Sequence, residues 1–523
     1  FTHLSPKMEV SVLWCCVGIL VMIVAWCVLR FLNWVWFKPK RMEKFLRNQG
    51  LNGSSYKFLF GDMKEFAKMI KEAKSKPINL KDDIVPRVMH FNHKYVTTYG
   101  KTCFTWMGPI PLVHITDPAM IKEVFVNNYQ FQKPKGNPLI KLLVAGLADA
   151  ECDQWSKHRK IINPAFHVER LKHMVPAFYT CCAEMINKWE DMLKEESSCE
   201  IDMWPYLQTF SSDVISRTAF GSSFEEGKRI FELQREQAKL VIEAIQSIYI
   251  PGSRFLPTKR NKRMKEIHSE VKASIRSIID KRINAIKGGE SSTEDLLGIL
   301  LESNYKAIKQ KGNYNSGLSI DEIIEECKLF YFAGQETTGN LLVWTMVLLA
   351  QHTDWQAKAR DEVSLIFGKK KPDIDGLNRL KIVHMIFNEV LRLYPPVVVL
   401  PRMIHEEIKV GGITLPPGSM LQLHNMLVHH DRDIWGEDVK EFMPDRFYEG
   451  VSKVTKGQAS YFPFGGGPRI CIGLNFALLE AKTALTMILQ HFRFDLSPSY
   501  SHAPHTLITL QPQFGAHLIL HKL

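Results

Sequence analysis

Phe464-Gly-Gly-Gly-Pro-Arg-Ile-Cys-Ile-Gly473 is the stretch from which the rest of the chain can be read. It places one cysteine in a loop of small and rigid residues. Gly465, Gly466 and Gly467 permit backbone angles closed to other residues, and let the backbone lie close against something flat. Pro468 removes a donor and stiffens the loop, and Arg469 supplies a cation just before Cys471. The next run, Leu-Asn-Phe-Ala-Leu-Leu-Glu-Ala-Lys, is a strong helix former, so Cys471 sits just ahead of a helix N-terminus. Free N–H groups and the positive dipole end favour a thiolate there.

A zinc site needs three or four ligands from paired Cys and His, and no second cysteine flanks Cys471 at that spacing. A phosphate loop needs Lys followed by Ser or Thr after its glycines, and that is absent. A buried, inert cysteine is the plain alternative. The whole string, however, resembles the haem-binding loop of the cytochrome P-450 superfamily, Phe-x-x-Gly-x-Arg-x-Cys-x-Gly. Phe464, Gly467, Arg469, Cys471 and Gly473 fill every specified position. The resemblance implies that Cys471 is the axial thiolate of a haem iron.

Length alone suggests about three domains, but no linker, repeat or low-complexity run divides the chain. Hydrophobic residues make up 45% and charged residues 23%, enough apolar material for a large core. The net charge of +12 suits anionic lipid or an acidic protein partner, and it gathers in no nucleic-acid-binding motif. Of ten cysteines only Cys181 and Cys182 adjoin outside the first thirty residues, which reads as a reduced, cytosol-facing body.

Residues Phe1 to Lys7 read as lying upstream of a natural start at Met8. Val10 to Leu29 carries no charge; about 20 residues at ~1.5 Å each reach ~30 Å, the thickness of a bilayer core. Arg30, Lys38, Lys40 and Arg41 follow it, so the N-terminus is expected to face the lumen and the body the cytosol. Trp34, Trp36 and Phe37 suit the membrane interface. Between Gly50 and Gly61 this chain has Gly53-Ser-Ser-Tyr56 where microsomal members of the superfamily carry prolines. The expected division is 1–9 lumenal, 10–29 transmembrane, 30–61 a basic linker or hinge, and 62–523 the catalytic domain.

Further motifs follow in the superfamily's order. Asn127 to Ala150 is irregular, and the resemblance places it over the distal haem face. Trp155 and Arg159 share a helix face, and the resemblance gives them a haem propionate to contact. Leu171 to Lys287 reads as mostly amphipathic helix broken at Pro205, Gly221, Pro251 and Pro257, its basic run from Lys259 to Lys265 a solvated face in preference to a membrane-surface contact. Gly288 to Thr293 and Lys311 to Gly317 read as surface loops.

Ser319 to His352 reads as a long helix with Ala333-Gly-Gln-Glu-Thr-Thr338 at its centre. Alone, Thr337 would simply bond back to the Ala333 carbonyl. Beside the cysteine loop the segment resembles the superfamily's oxygen-binding helix. That likeness implies that the glycine makes room for dioxygen, and that Glu336 and Thr337 deliver protons to it.

Glu389 and Arg392 stand three residues apart in an apolar run and read as a buried pair. The resemblance joins them to Arg446 of Pro444-Asp-Arg-Phe447 as a structural trio. It gives Arg402 the second propionate and lines the substrate pocket with Val397 to Leu400. His429 and His430 read as loop residues. Phe492 to Leu523 alternates as short strands, and Thr506 to Leu510 reads as a turn into the pocket.

The expected fold is mainly α with small β-sheets, the cytochrome P-450 fold, preceded by one N-terminal transmembrane helix. The implied activity is a membrane-bound haem-thiolate monooxygenase that puts one atom of O2 into a small apolar substrate. Its cofactor would be haem b (iron protoporphyrin IX). Its electrons would come from NADPH through a separate FAD/FMN flavoprotein, NADPH–cytochrome P-450 reductase, docked on a basic face by the cysteine loop. Its place would be the endoplasmic reticulum membrane, single-pass, with a cytosolic catalytic domain. Glu325 to Phe332, Pro257 to Ile267 and Thr509 to Leu520 resemble a plant group, family 72 subfamily A, which implies a terpenoid substrate of triterpene, iridoid or gibberellin type. Two rivals are a haem-thiolate isomerase or dehydratase that needs no electrons, and a non-catalytic membrane haem sensor. The Glu336–Thr337 pair argues against the first, and NADPH consumption would separate the second.

Overall fold

The computed structural model describes residues 6–523, apart from 136, 195–196, 222–223, 251, 289–294 and 312–315. Most of the two expected surface loops, Gly136 and the first five residues lie outside that set.

Ile320–Gln351 is a single helix and the axis of the molecule. It begins at a capping box: the Ser319 hydroxyl accepts from the Glu322 N–H, and the Glu322 carboxylate accepts from the Ser319 N–H at 2.8 Å. Such a cap contributes about 1 kcal/mol. Beyond it the sequence turns apolar on every face, and Leu341 to Ala350 are all buried. A helix without a polar face belongs in a core. Helix Met203–Phe220 crosses it closely because two glycines leave room. A Cβ on Gly334 would stand 2.8 Å from Ile215 Cδ1, and one on Gly339 would stand 2.4 Å from Gln208 Nε2. Gly334 thus admits a neighbouring helix, a packing role beyond the space for dioxygen expected from the motif.

Helices Val175–Met192, Ile382–Leu393 and Leu474–His491 complete the core around this axis. The breaks expected in the 171–287 region separate helices Met203–Phe220, Phe224–Ile245 and Lys259–Lys287. Gly221 ends the first of these in the left-handed region, at φ +64°. Pro205 instead falls inside the first turn of its helix, where proline is tolerated. In the basic run, Arg263 pairs with Glu236 at 2.6 Å, and Lys262 and Lys265 are exposed.

Sheets are small. One of six strands runs in the order Asn52–Gly53, Thr102–Met107, Ile110–Ile115, Met420–Leu423, Leu400–Ile404, Phe131–Gln132. A second joins Phe492–Leu496, His517–Lys522 and Ser198–Asp202, all antiparallel. Strands Pro504–Thr506 and Leu510–Pro512 form a hairpin whose turn comes close to the central helix, as the alternation at the C-terminus leads one to expect.

Pro6–Leu32 is helical, and through a π-helical turn at Asn33–Phe37 it continues into helix Lys38–Asn48. Within the continuous helix from Leu13 an 18-residue window has a mean hydropathy of 2.5 with none of it buried, long and apolar enough to cross a membrane. The segment expected to act as a hinge is held against the body. Met42 and Leu46 are buried, and Asn52–Gly53 pairs in parallel with Cys103–Phe104. The Tyr56 hydroxyl donates to the Val35 carbonyl at 2.5 Å. A Cβ on Gly53 would meet the Phe104 carbonyl oxygen at 2.2 Å, so close pairing stiffens this link without prolines.

His429 corrects the expectation of a loop residue: it ends helix Asn425–His429 and is fully buried, while His430 follows in a turn as expected. Burial pushes both imidazoles down from the usual range.

Candidate functional site

The cysteine loop is a tight pin. The Cys471 N–H donates to the Phe464 carbonyl at 2.9 Å, and the Gly465 N–H donates to that of Phe462 at 2.9 Å. Gly465 and Gly467 have φ of +73° and +63°, which L side chains rarely adopt. Gly466 does lie against a flat group, the ring of Phe125 in helix Pro118–Val126, where a Cβ would stand 2.6 Å from the ring; Gly467 lies against the Phe125 carbonyl oxygen, where a Cβ would stand 2.3 Å away. Helix Leu474–His491 starts just past Gly473, as the composition predicts.

Between this loop and the central helix lies a cavity of about 400 Å³. Ala333, Gly334 and Thr337 line one wall, and Phe464, Gly465 and Cys471 face them. The Cys471 side chain is open to the cavity and enclosed beyond it. Burial pushes its thiol up, opposed by the Gly473 N–H and the charges of Arg159 and Lys133. A metal cation on the sulfur would reverse that balance.

Four cations ring the cavity: Lys133, Arg159, Arg402 and Arg469. Arg159 donates to the Ile470 carbonyl at 2.8 Å. Arg402 donates to that of Pro401 at 2.8 Å, and burial with repulsion from Arg469 takes it down to about 10. Lys133 donates to the Ala148 carbonyl at 2.6 Å and is pushed down to about 7, by burial first and then by Arg469 and Arg402. Arg469 lies over the Trp155 ring at 4.9 Å and pairs with Glu151 at 2.8 Å, yet its Nε and Nη1 are buried without a hydrogen-bond partner. Trp155 therefore supports Arg469 rather than acting with Arg159 alone.

One carboxylate, Glu151, faces these four groups, and burying the remaining positive charge is costly unless an anion joins it. An apolar slot with a thiol at one face, a cationic rim and orphaned guanidinium donors fits a flat metal complex with carboxylates on its edge. Iron protoporphyrin is such a group. Among the described residues no cluster of three His, Cys, Asp or Glu side chains offers another metal site. Lys133 and Glu151 were not singled out in the sequence. They stand in or beside the irregular stretch, and only folding brings them to Arg469.

Thr337 faces the cavity, and its hydroxyl donates to the Ala333 carbonyl at 2.9 Å, the back-bond that threonine makes in any helix. Glu336 turns aside. Its carboxylate accepts from the Thr509 hydroxyl at 2.8 Å, and Thr509 accepts from Asn340 at 2.7 Å. Burial raises the Glu336 carboxyl, with Thr509 and then Arg235 opposing. The two residues are neighbours in sequence, but each side chain bonds elsewhere, Thr337 to Ala333 and Glu336 to Thr509. Behind this wall, Glu480 is fully buried beside the Ser211 and Thr338 hydroxyls, and its carboxyl is pushed well above the usual range by burial. The Ser211 hydroxyl donates to the Gly334 carbonyl at 3.0 Å.

Glu389 and Arg392 are fully buried and joined in bidentate fashion, both contacts at 2.7 Å. Arg446 reaches Glu389 at 3.4 Å and Asp438 at 2.9 Å, so the expected trio is assembled. It extends to the cysteine loop through a residue the motifs did not mark. Arg392 donates to the His429 carbonyl at 3.0 Å, and His429 Nε2 accepts from the Phe462 N–H at 3.1 Å. On the opposite side the buried Glu326 accepts from His158 at 2.5 Å and from the Leu147 N–H at 3.0 Å, which pins the irregular stretch to the central helix.

The family model described as cytochrome P450, written here cytochrome P-450, matches residues 81–514. The chain is 63% identical over 509 residues to cytochrome P-450 CYP72A219 of Panax ginseng, covering 97% of this chain and 98% of that one. It is 54% identical over 510 residues to the 7-deoxyloganic acid hydroxylase of Catharanthus roseus, at 97% and 98% coverage. Among solved structures it is similar to the retinoic acid-bound cyanobacterial CYP120A1, with a TM-score of 0.74 and 23% identity over 90% of this chain and 99% of that one. At that identity the last likeness carries the fold alone.

Proposed function

The chain belongs to the cytochrome P-450 family and is a monooxygenase, and from that premise we propose that it hydroxylates a plant terpenoid at the cavity above Cys471. The observation that carries this is the cavity itself. A single thiol faces Thr337 across an apolar slot, and four cations stand at its rim.

Cys471 would supply the sulfur ligand, its loop held by the bond from its own N–H to the Phe464 carbonyl. Arg159, Arg402 and Arg469 would hold the propionates, with Trp155 fixing the Arg469 guanidinium and Phe464 and Gly473 packing near the sulfur. A bound iron porphyrin with a thiolate ligand supplies the electron-rich metal that activates dioxygen toward an apolar C–H bond. The apolar residues Leu341, Val397 and Leu400 exclude water and orient the substrate. Thr337 holds a proton at its hydroxyl over the reaction site. Glu336, kept protonated more readily by burial, resupplies it through water once its carboxyl turns from Thr509. Glu389, Arg392 and Arg446 keep the core beneath the loop in register.

Electrons would come from NADPH through the FAD/FMN reductase. The apolar helix from Leu13 would anchor the protein in the endoplasmic reticulum, with residues 62–523 as the cytosolic catalytic domain, 30–61 as its link, 10–29 in the lipid and 1–9 in the lumen. The Catharanthus relative, named as hydroxylating an iridoid acid, supports a terpenoid substrate. Microsomes carrying the protein and a reductase should be fed iridoids, triterpenes and gibberellins, and the products read by mass spectrometry. A terpenoid gaining one oxygen atom, dependent on NADPH, supports the reading. Consumption of none of the panel would overturn the substrate class.

A further inference from the structure

A second cavity, of about 190 Å³, lies behind the wall of the first. The two share the segment 396–400: Pro396, Val397 and Leu400 face the cavity above Cys471, and Val398 and Val399 face the second. Phe66, Ile70, Ile242 and Leu507 give the second cavity an apolar lining. Leu507 stands in the turn whose Thr509 bonds Glu336, so one hairpin borders both spaces.

Its polar corner is unusual. Lys74, Arg87, His90, His505 and Thr506 converge there, and no carboxylate is among the lining residues described. The Arg87 guanidinium is spent on the carbonyls of Ala73, Lys76 and Pro504 and on Gln513, which satisfy its N–H groups but leave its charge uncompensated. Lys74 is half-buried, and among the described residues no hydrogen bond or ion pair reaches its ammonium. Its charge is felt by both imidazoles. His90 Nδ1 lies 3.3 Å from the Arg87 carbonyl, which leaves Nε2 as a bare lone pair. That atom, His505 Nδ1 and Thr506 Oγ1 are all buried without a partner. Three buried polar atoms without partners are costly unless something completes them, and they stand beside two cations that no lining carboxylate compensates.

We propose that this chamber is an outer substrate site that takes the carboxylate end of an apolar acid. The carboxylate would pair with Lys74, and hydroxyls near it would donate to His90 Nε2 and His505 Nδ1. This rests on the terpenoid reading and narrows it to terpenoid carboxylic acids. The same carboxylate could arrive on a membrane fatty acid, so that source is a separate arm of the test.

The test is calorimetric titration of the detergent-solubilised, haem-loaded full chain, with no turnover. The probes are geranic, abietic and oleanolic acids, each beside its methyl ester, and lauric acid beside methyl laurate. At least one terpenoid acid should bind tenfold or more tighter than its ester. Lys74→Met should remove that preference and leave ester affinity within about twofold, and Lys74→Arg should keep it. The comparison of acid with ester in the unaltered protein needs no variant to fold. No preference for any terpenoid acid, a preference confined to lauric acid, or a preference that survives Lys74→Met would overturn the proposal. Because binding is read without product, acid selectivity with no terpenoid oxidised defeats only the functional reading. Oxidation of terpenoids bound with no acid selectivity defeats only this one.

Discussion

Thr509, from the C-terminal hairpin, donates its hydroxyl to Glu336 at 2.8 Å and so holds the carboxyl of the pair proposed to carry protons away from Thr337. The position of the Glu336 carboxyl is therefore set by a contact across tertiary structure and not by the helix alone. Thr337→Ala should leave the haem spectrum and NADPH consumption near normal, lower product per NADPH about tenfold or more, and raise hydrogen peroxide. Thr338→Ala should do less, since Thr338 is buried beside Glu480. Thr509→Val removes a donor that opposes burial, holds Glu336 more firmly protonated, and should lower coupling by less than Thr337→Ala. The measurement is product per NADPH for each variant. Full coupling in Thr337→Ala would leave that threonine with only its bond to Ala333.

Cys471→Ser should abolish the red-shifted carbon monoxide complex of reduced membranes, because the loop presents no other sulfur to the cavity. Arg469→Met removes a buried cation whose guanidinium has two unpartnered atoms. A hydrogen bond to a charged group contributes about 1.5–3 kcal/mol, so haem retention during dialysis should weaken by about 10- to 100-fold. A spectrum typical of histidine ligation in the unaltered protein would end the reading.

Arg392→Met should leave Glu389 buried without its bidentate partner, at a cost of about 3–5 kcal/mol. Expected is little folded, haem-loaded protein, seen as a low ratio of haem to polypeptide. His429→Phe should be milder, because it breaks the bond from Phe462 and leaves the carbonyl that Arg392 uses.

Glu480 supplies a pH dependence with a definite sign. Its folded carboxyl titrates well above the ordinary value of 4.5. Below that value both states are protonated, and above it the unfolded chain ionises first. Stability is therefore lost as pH rises from about 4.5 through the raised value. Glu480→Gln removes this loss, so its melting temperature relative to the unaltered protein should rise between pH 5 and 8. A constant difference across that range would show that Glu480 is ionised in the fold.

Removal of residues through Leu32 should release much of the protein from membranes with its haem spectrum intact. Cutting further, through Trp36, also removes Val35, which is buried and accepts from Tyr56. The longer deletion should cost stability that the shorter one does not. Fractionation and melting curves of the two proteins separate anchoring from packing.

The local strings carried their own meaning. The glycines before Cys471, the uncharged run from Val10 and the helix pattern around Gly334 each state a conformation that neighbours in sequence enforce. Glu389 and Arg392 were legible for the same reason, since helical spacing alone places them on one face. What sequence could not place were partners distant along the chain. Lys133 and Glu151 meet Arg469 only when the irregular stretch folds over the cavity. His429, read as a loop residue, becomes the buried strut between Arg392 and Phe462. The link before Gly61 is stiff because Gly53 can approach Phe104 without a Cβ, which no local rule announces. Chain order and side-chain chemistry thus determined the fold and the sulfur. Burial, which sets which charges go uncompensated and which acids stay protonated, was decided by tertiary structure alone, because desolvation depends on everything packed around a group.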